Sequence, residues 1–276
     1  MLRYDADWLL EQYADETPAY PGVPYTLLDT APAYEIEREP GEFQLEDVLG
    51  LSPRLAYDET VVRLAQYNSP NLRVQPCAFS LGVKSNYAMD GEGELRAMLR
   101  ADYGGRLPPL SDARLSNGIG TTAVIFDREG RPYLPRRAPR QSVFPGGYHC
   151  TASGEAVWQD ALNFESLFTA NIQRELEEEV GLTPADLDWI RPVAFCREFL
   201  RAGKPQFFFA GQSSLTEAEL TERRRAAIAR QIAAGAQEIM DDVAHTVTPA
   251  DCTIECWASL CLCGPANPGR SRLSGG

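Results

Sequence analysis

The stretch FTANIQRELEEEVGL, residues 168–182, decides how this chain folds. Its apolar residues recur at four-residue steps, which is the spacing of one buried helix face. Gly181 directly follows the last of them and is well placed as a helix C-cap. The pattern therefore predicts an amphipathic helix over about residues 165–180. The apolar positions are Phe168, Ile172, Leu176 and Val180.

The same helix carries carboxylates at the edge of its buried face. Glu175, Glu178 and Glu179 stand at i, i+3 and i+4, so they share a sector roughly 100° wide, whereas Glu177 points away. Like charges at these positions repel each other, and a helix seldom gathers three of them without a cation. Oxygen ligands in this number suit Mg²⁺ or Mn²⁺. A solvated acidic face is the alternative that the cluster alone leaves open.

Composition limits the class of protein. The chain has 276 residues, of which 44% are hydrophobic, and this predicts a buried core in one large domain or a domain with a smaller companion. A net charge of −13 argues against nucleic acid as a partner, which needs a basic footprint. It also repels an anionic substrate unless a cation is bound.

The chain shows no sign of a membrane partner. Its first residues lack the basic and apolar regions of a signal peptide, and no apolar run approaches the ~18 residues of a membrane span. A cytoplasmic protein is expected.

Strand-like and helix-like segments alternate along the chain, which predicts an α/β (α+β) fold. Strands are expected within 72–83, 121–137 and 192–211, and a second long helix within 214–234. We divide the chain into an N-terminal accessory subdomain (1–110), a main domain (116–250) and a C-terminal tail of unknown role (251–276). Four cysteines near the C-terminus lack the spacing of common zinc sites, so buried reduced thiols are expected there. They are Cys252, Cys256, Cys261 and Cys263.

A glycine pair precedes the acidic helix. Gly146 and Gly147 stand in the segment FPGG (144–147), the dipeptide Gly154-Glu155 follows, and RELEEEVGL (174–182) comes last. This arrangement resembles the Nudix box of the Nudix hydrolase superfamily. The last segment satisfies every fixed position of the family's REUxEExGU, where U is a bulky apolar residue.

The first half of the box departs from the family pattern. Seven residues separate Gly147 from Glu155 where the family has five, and eighteen separate Glu155 from Arg174 where it has seven. Either the loop carries an insertion, roughly AVWQDALNFE (156–165), or Glu165 takes the place of Glu155.

The resemblance implies a fold and a chemistry. The fold is the Nudix α/β/α sandwich, here with a smaller N-terminal α+β subdomain. The chemistry is attack of water on a diphosphate held by Mg²⁺, with Mn²⁺ as an option. The implied metal ligands are the three carboxylates of the helix together with a carbonyl of Gly146 or Gly147, and Arg174 orients the carboxylates.

Residues 70–220 are similar to the Nudix branch that hydrolyses UDP-glucose and UDP-galactose. This similarity includes the segment CAFSLGVKSNYAM (77–89) and implies cleavage of a nucleotide sugar to UMP and hexose 1-phosphate. A Nudix enzyme acting on ADP-ribose, dinucleotides or capped RNA is an alternative. A non-catalytic nucleotide-binding sensor is another, and a homodimer is an option for the assembly.

Other residues are candidates for substrate contact. Arg136, Arg137 and Arg140 can hold phosphates or a sugar, or else form a solvated basic edge. Glu198 is a candidate general base, and an exposed ion pair with Arg197 or Arg201 is its alternative. Packed or solvated positions are expected for a further set that has some functional potential: Tyr148, His149, Phe195, Phe207–Phe209, Glu238, Asp241 and Asp242.

Overall fold

The computed structural model describes residues 5–30, 33–45, 58–89, 93–110, 114–139, 145–235 and 241–264. The helices in these ranges are α1 (Ala6–Gln12), α2 (Phe79–Lys84), α3 (Glu94–Tyr103), α4 (Ala170–Glu179), α5 (Glu217–Ala233) and α6 (Ile254–Cys263). The strands are β1 (Tyr25–Asp29), β2 (Glu35–Arg38), β3 (Thr60–Asn68), β4 (Asn71–Ala78), β5 (Gly120–Phe126), β6 (Leu134–Pro135), β7 (Ala152–Glu155), β8 (Leu187–Glu198), β9 (Lys204–Ser213) and β10 (Val243–Ala244).

The main sheet has five strands in the order β1-β8-β9-β5-β7. Strands β5 and β9 are parallel, and the other neighbours are antiparallel. The predicted strand pair within 192–211 is the β8–β9 hairpin, whose turn ends at Gly203 with a φ of 87°. The predicted pair within 121–137 is only partly formed, because the short β6 pairs with β10.

Alternating side chains of β9 give the main sheet two buried faces. Phe207 and Phe209 pack into the core that contains Ile172 of α4, whereas Phe208 packs with Ala258 of α6. Because successive strand residues point to opposite faces, an apolar run covers both sides of a central strand. Helices on both faces make the expected α/β/α sandwich, and none of the described helices is long and apolar enough to cross a membrane.

A smaller α+β unit is built from the N-terminal half of the chain. Its three-stranded sheet has the order β2-β4-β3. The Val62 amide of β3 donates a hydrogen bond of 2.7 Å to the Ala156 carbonyl, and the Ile119 amide donates one of 2.8 Å to the Val62 carbonyl. The smaller sheet is thereby joined to the residue before β5 and to the residue after β7 of the main sheet.

Segments outside the range 116–250 also complete the main sheet. Strand β1 forms one edge by pairing with β8, and α6 covers the face that α4 leaves open. The domain limits stay a prediction. Within the C-terminal segment, α6 is part of the packed sandwich. Cys256 and Cys263 of α6 are fully buried there.

Candidate functional site

Helix α4 positions the acidic cluster. It follows a π-helical turn at Glu165–Thr169 and ends at Gly181, whose φ of 77° suits glycine. The amide of Gly181 donates to the Glu177 carbonyl and that of Leu182 donates to the Leu176 carbonyl, so the helix end is satisfied by a glycine C-cap. The predicted apolar stripe is fully buried, and this fixes the rotation of the helix.

Arg174 joins two of the three carboxylates. Its Nη2 lies 2.6 Å from Glu175 Oε1, and its Nη1 lies 3.0 Å from Glu178 Oε2. The two carboxylates differ in setting, because the Glu175 side chain is 13% exposed and that of Glu178 is 55% exposed. Glu177 is exposed, as the helical spacing predicts.

Gly154 of β7 makes room for the Glu175 side chain. The carboxylate of Glu175 lies so close to the strand backbone that a Cβ atom on Gly154 would be 2.2 Å from its Oε1. The close approach of a strand to a helix carboxylate requires glycine here.

Burial raises the pKa of two carboxyls of the cluster. For Glu175 the pKa rises to about 7, mainly through burial, while Arg174 opposes the rise. For Glu179 it rises to about 8, through burial and then through the charge of Glu175. Arg137 and Arg224 lower the pKa of Glu179, so both arginines lie near this end of the cluster.

The glycine pair lies on the loop before β7. Gly146 has a φ of 75°, and its carbonyl accepts a hydrogen bond from Nε of Arg136. The carbonyl of Gly147 accepts one from the Arg137 amide. A carbonyl oxygen has two acceptor positions, so this bond leaves one position for a further ligand.

Arg136 and Tyr148 connect this loop to Asp242. Nη1 of Arg136 lies 3.2 Å from Asp242 Oδ2, and the Tyr148 hydroxyl donates to the same carboxylate oxygen. Arg136 therefore stabilises the loop in this structure. Asp242 was expected to be a solvated residue, but it binds both Arg136 and Tyr148. Arg137 is the arginine of this pair that lies near Glu179.

A row of buried polar residues runs along the α6 side of the sheet. His149 is hydrogen-bonded to Thr253 and Ser153, and Gln206 donates to Glu255. Burial, followed by the charges of Arg137 and Arg201, lowers the pKa of His149 well below its ordinary value, so its ring is neutral. The predicted packed position of His149 is confirmed by its burial.

The row continues at Glu155. Its Oε1 lies 3.5 Å from Lys204 Nζ and accepts a hydrogen bond from the Tyr87 hydroxyl, and the side chain is buried. Glu155 thus points away from the Glu175 side of β7, as adjacent strand residues must. Glu165, its alternative in the box, is exposed in the π-helical turn. Sequence reasoning missed Lys204, Gln206 and Glu255, because a single polar residue in an apolar segment gives no motif.

Glu198 lies at the end of β8. The expectation of an exposed ion pair is wrong, because both partners are buried: Glu198 Oε1 lies 3.7 Å from Arg201 Nη1, and each side chain is 6% exposed. The Tyr25 hydroxyl also donates to this carboxylate. Tyr25 stands opposite Glu198 where β1 pairs with β8, a long-range contact that no local pattern predicts.

The remaining candidates are mostly core or salt-bridged surface. Phe195 and Phe207 stack in the core with ring centroids 4.2 Å apart, and Asp241 pairs with Arg225. Cys150 approaches His149 and Glu255, with ligand atoms within 4.8 Å, but its sulfur is hydrogen-bonded to Ser259. Arg140, Phe144 and Glu238 lie outside the described residues.

Comparisons with known proteins give partial likenesses. No family model matches the chain, and no curated protein matches it. Among solved structures, the chain is similar to DR0079 from Deinococcus radiodurans, with 22% identity over 45% of this chain and 77% of that one, and a TM-score of 0.28. The MutT protein of Methanosarcina mazei Go1 is 18% identical over 36% of this chain and 64% of that one, with a TM-score of 0.23. The ORF135 protein of E. coli is 17% identical over 44% and 94%, with a TM-score of 0.22.

Proposed function

We propose that this chain is a Nudix-type diphosphatase that depends on Mg²⁺ or Mn²⁺ and cleaves a nucleoside diphosphate derivative. One observation carries the proposal: Glu175, Glu178 and Glu179 gather on one edge of α4, where Arg174 contacts Glu175 and Glu178 and the bare backbone of Gly154 makes room for Glu175. The sequence of this helix also has the complete second half of the Nudix box.

The donor set fits a hard divalent cation. Two of the carboxyls have raised pKa values mainly because they are buried, and the charge of Glu175 adds to the rise at Glu179, so ionising both is unfavourable without a nearby positive charge. Oxygen donors alone suit Mg²⁺ or Mn²⁺ better than zinc. The three glutamates and the Gly147 carbonyl would hold the ion, which would neutralise the diphosphate and activate water.

The chain's own residues bind, orient and balance charge in this proposal. Arg174 fixes the Glu175 and Glu178 carboxylates through charge-assisted hydrogen bonds, which reduces the rotamer freedom of both. Arg137 lies near Glu179 and contributes positive charge where an anionic diphosphate would approach. Neutral His149 is held by Thr253 and Ser153, and the loop around Gly146 is held by Arg136.

The substrate we propose is a UDP-hexose, split into UMP and hexose 1-phosphate. Support comes from the similarity of residues 70–220 to the UDP-sugar branch and from the lengthened loop before α4. A pocket that hydrogen-bonds uracil selects the base, because another base leaves buried polar groups unpaired at a cost of about 1–3 kcal/mol each. UDP-glucose and UDP-galactose should therefore react at similar rates, with ADP-glucose and GDP-mannose slower.

A substrate panel tests this proposal. Purified protein is incubated with nucleotide sugars, ADP-ribose, dinucleotides and capped RNA, with Mg²⁺, with Mn²⁺ and with a chelator, and products are identified by mass. We expect UMP and hexose 1-phosphate only when the cation is present. A higher kcat/KM for ADP-ribose or a dinucleotide would refute the UDP-hexose assignment and keep the diphosphatase. Binding of nucleotides without turnover of any substrate would make the chain a sensor.

A further inference from the structure

A pocket of about 500 Å³ lies between the lengthened loop and the start of α4. Its polar lining comes from three neighbouring segments: Gln159 and Asp160 of the loop, Ser166 of the π-helical turn, and Asn171 and Arg174 of α4. The volume falls within the range of small-molecule sites. The loop segment 156–165, which departs from the family spacing, therefore builds one wall of a cavity.

The loop is held in place by packing and backbone hydrogen bonds. The Val157 amide donates to Asn171 Oδ1, and the Trp158 amide donates to the Thr60 carbonyl of β3. Phe164 stacks on Tyr34 with ring centroids 5.2 Å apart, within the main core. Since both ends of the loop are anchored, the pocket wall is part of the fold.

The polar groups on the rim are available to a ligand. No described residue hydrogen-bonds to the side chains of Gln159, Asp160 or Ser166, and both Gln159 and Asp160 are exposed. Their chemistry is that of hydroxyl recognition, because an amide, a carboxylate and a hydroxyl offer acceptors and donors together. The negative charge of Asp160 would repel a phosphate group in this pocket. The lining residues include no aromatic ring on which a nucleobase could stack.

The pocket adjoins the acidic cluster through Arg174. This side chain lines the pocket, and it also contacts Glu175 and Glu178. A ligand whose diphosphate lies at the carboxylates can therefore place its next group in the pocket. For a nucleotide sugar with the nucleoside on the far side, that group is the sugar.

We propose that this pocket is the sugar subsite, in which Gln159, Asp160 and Ser166 bind the hydroxyls of the hexose. The inference rests on the proposed diphosphatase activity and goes beyond it, because it assigns the specificity for the sugar half to the lengthened loop.

Two substrates with the same anhydride test the subsite. UDP-glucose and the methyl ester of UDP are hydrolysed by the wild type and by the Gln159→Ala/Asp160→Asn double variant. We expect the double variant to lose about tenfold in kcat/KM for UDP-glucose, from lost hydrogen bonds, and to keep its rate on the methyl ester. Ala161→Phe, which fills the pocket from the loop side, should have the same selective effect.

The outcomes separate the two proposals. Asp188→Asn, an exposed carboxylate on β8, is the matched control and should leave both substrates unchanged. An unchanged ratio of the two kcat/KM values in both pocket variants would overturn the subsite while the diphosphatase stands. Failure of the wild type to cleave either substrate would overturn the UDP-hexose assignment and the subsite together, and the substrate panel then decides whether the chain is a diphosphatase. Thermal unfolding of each variant verifies that the fold is retained.

Discussion

The three carboxylates of α4 share one edge of the helix but differ in surroundings. Glu178 is more than half exposed and paired with Arg174, so water and the arginine both stabilise its charge. Glu179 has its pKa raised to about 8 by burial and by Glu175. A bound cation would therefore stabilise the ionised carboxylates of Glu175 and Glu179 the most. Glu178 would supply a ligand from the solvent side.

Replacing single carboxylates tests the ligand assignment. Glu179→Gln and Glu178→Gln should each lower kcat by more than about 100-fold, since even outer partners of metal ligands are worth roughly 10–100-fold. The fold should persist, because glutamine has nearly the same shape. Glu177→Gln, on the exposed side of the same helix, is the control and should keep its activity. Equal activity of the Glu177 and Glu178 variants would refute the assignment.

The raised pKa values predict how stability depends on pH without a cation. The pKa of Glu175 is about 7 and that of Glu179 about 8, both raised from 4.5. Between pH 5 and 8 the folded chain therefore holds more protons than the unfolded chain, and the free energy of unfolding falls as pH rises. The loss should reach a few kcal/mol by pH 8.

Denaturant unfolding in a chelator, at pH 5.5 and at pH 8, measures this loss. Glu179→Gln should be less dependent on pH and more stable than the wild type at pH 8, and added Mg²⁺ should restore the wild type. A free energy of unfolding that rises between these pH values would contradict the expectation.

The substitution Gly154→Ala tests whether the site requires the close approach of β7 to the Glu175 carboxylate. In Gly154→Ala the new methyl group must push the Glu175 carboxylate aside, because it would occupy the place of Oε1. The side chain can move, so we expect little loss of stability but a higher Mg²⁺ concentration for half-maximal activity. Gly93→Ala, where a Cβ has open space, is the control. An unchanged Mg²⁺ requirement in Gly154→Ala would argue against Glu175 as a ligand.

At the scale of elements, the sequence predicts what local periodicity determines. The apolar stripe, Gly181 and the outward position of Glu177 follow from helical spacing, and the structure has them all. Burial of Glu198 and the partners of Glu155 depend on chain segments far away in sequence, such as β1 and Tyr87. The covering of the second face by α6 is also a long-range contact, which no local pattern reveals.

The end of α4 offers a matched pair of substitutions. Gly181 has a φ of 77°, and a Cβ there would lie 2.7 Å from the Arg223 carbonyl oxygen of α5. Gly235, just beyond α5, has a φ of 95° with open space around it. Gly235→Ala should cost about 1 kcal/mol for the backbone alone. Gly181→Ala should cost more, about 2–3 kcal/mol, because α4 and α5 must also separate. Equal losses in urea unfolding would show that the α4–α5 contact adjusts freely.

At the scale of the whole molecule, the site depends on both faces of the main sheet. Helix α4 carries the carboxylates on one face, while the loop with Gly146 and Gly147 packs against the start of α6 on the other. The amide of Tyr148 donates to the Asp251 carbonyl and that of Thr253 to the Tyr148 carbonyl. The glycine loop is therefore fixed by the C-terminal segment, which is why the position of α6 matters for a site that it does not itself carry.

Two shortened chains test this dependence. A chain that ends at residue 250 lacks α6 and exposes Phe208, Val124 and Phe126, each nearly or fully buried in the complete chain. Exposing several side chains of this size costs about 1.5–3 kcal/mol each, which is comparable with the whole stability of a domain. We expect this chain to aggregate or to bind a hydrophobic dye and to lose activity. A chain that ends at residue 264 keeps α6 and should unfold cooperatively with full activity. If the chain ending at residue 250 keeps the melting temperature and activity of the one ending at 264, α6 is dispensable and the glycine loop is held by β7 and α4 alone.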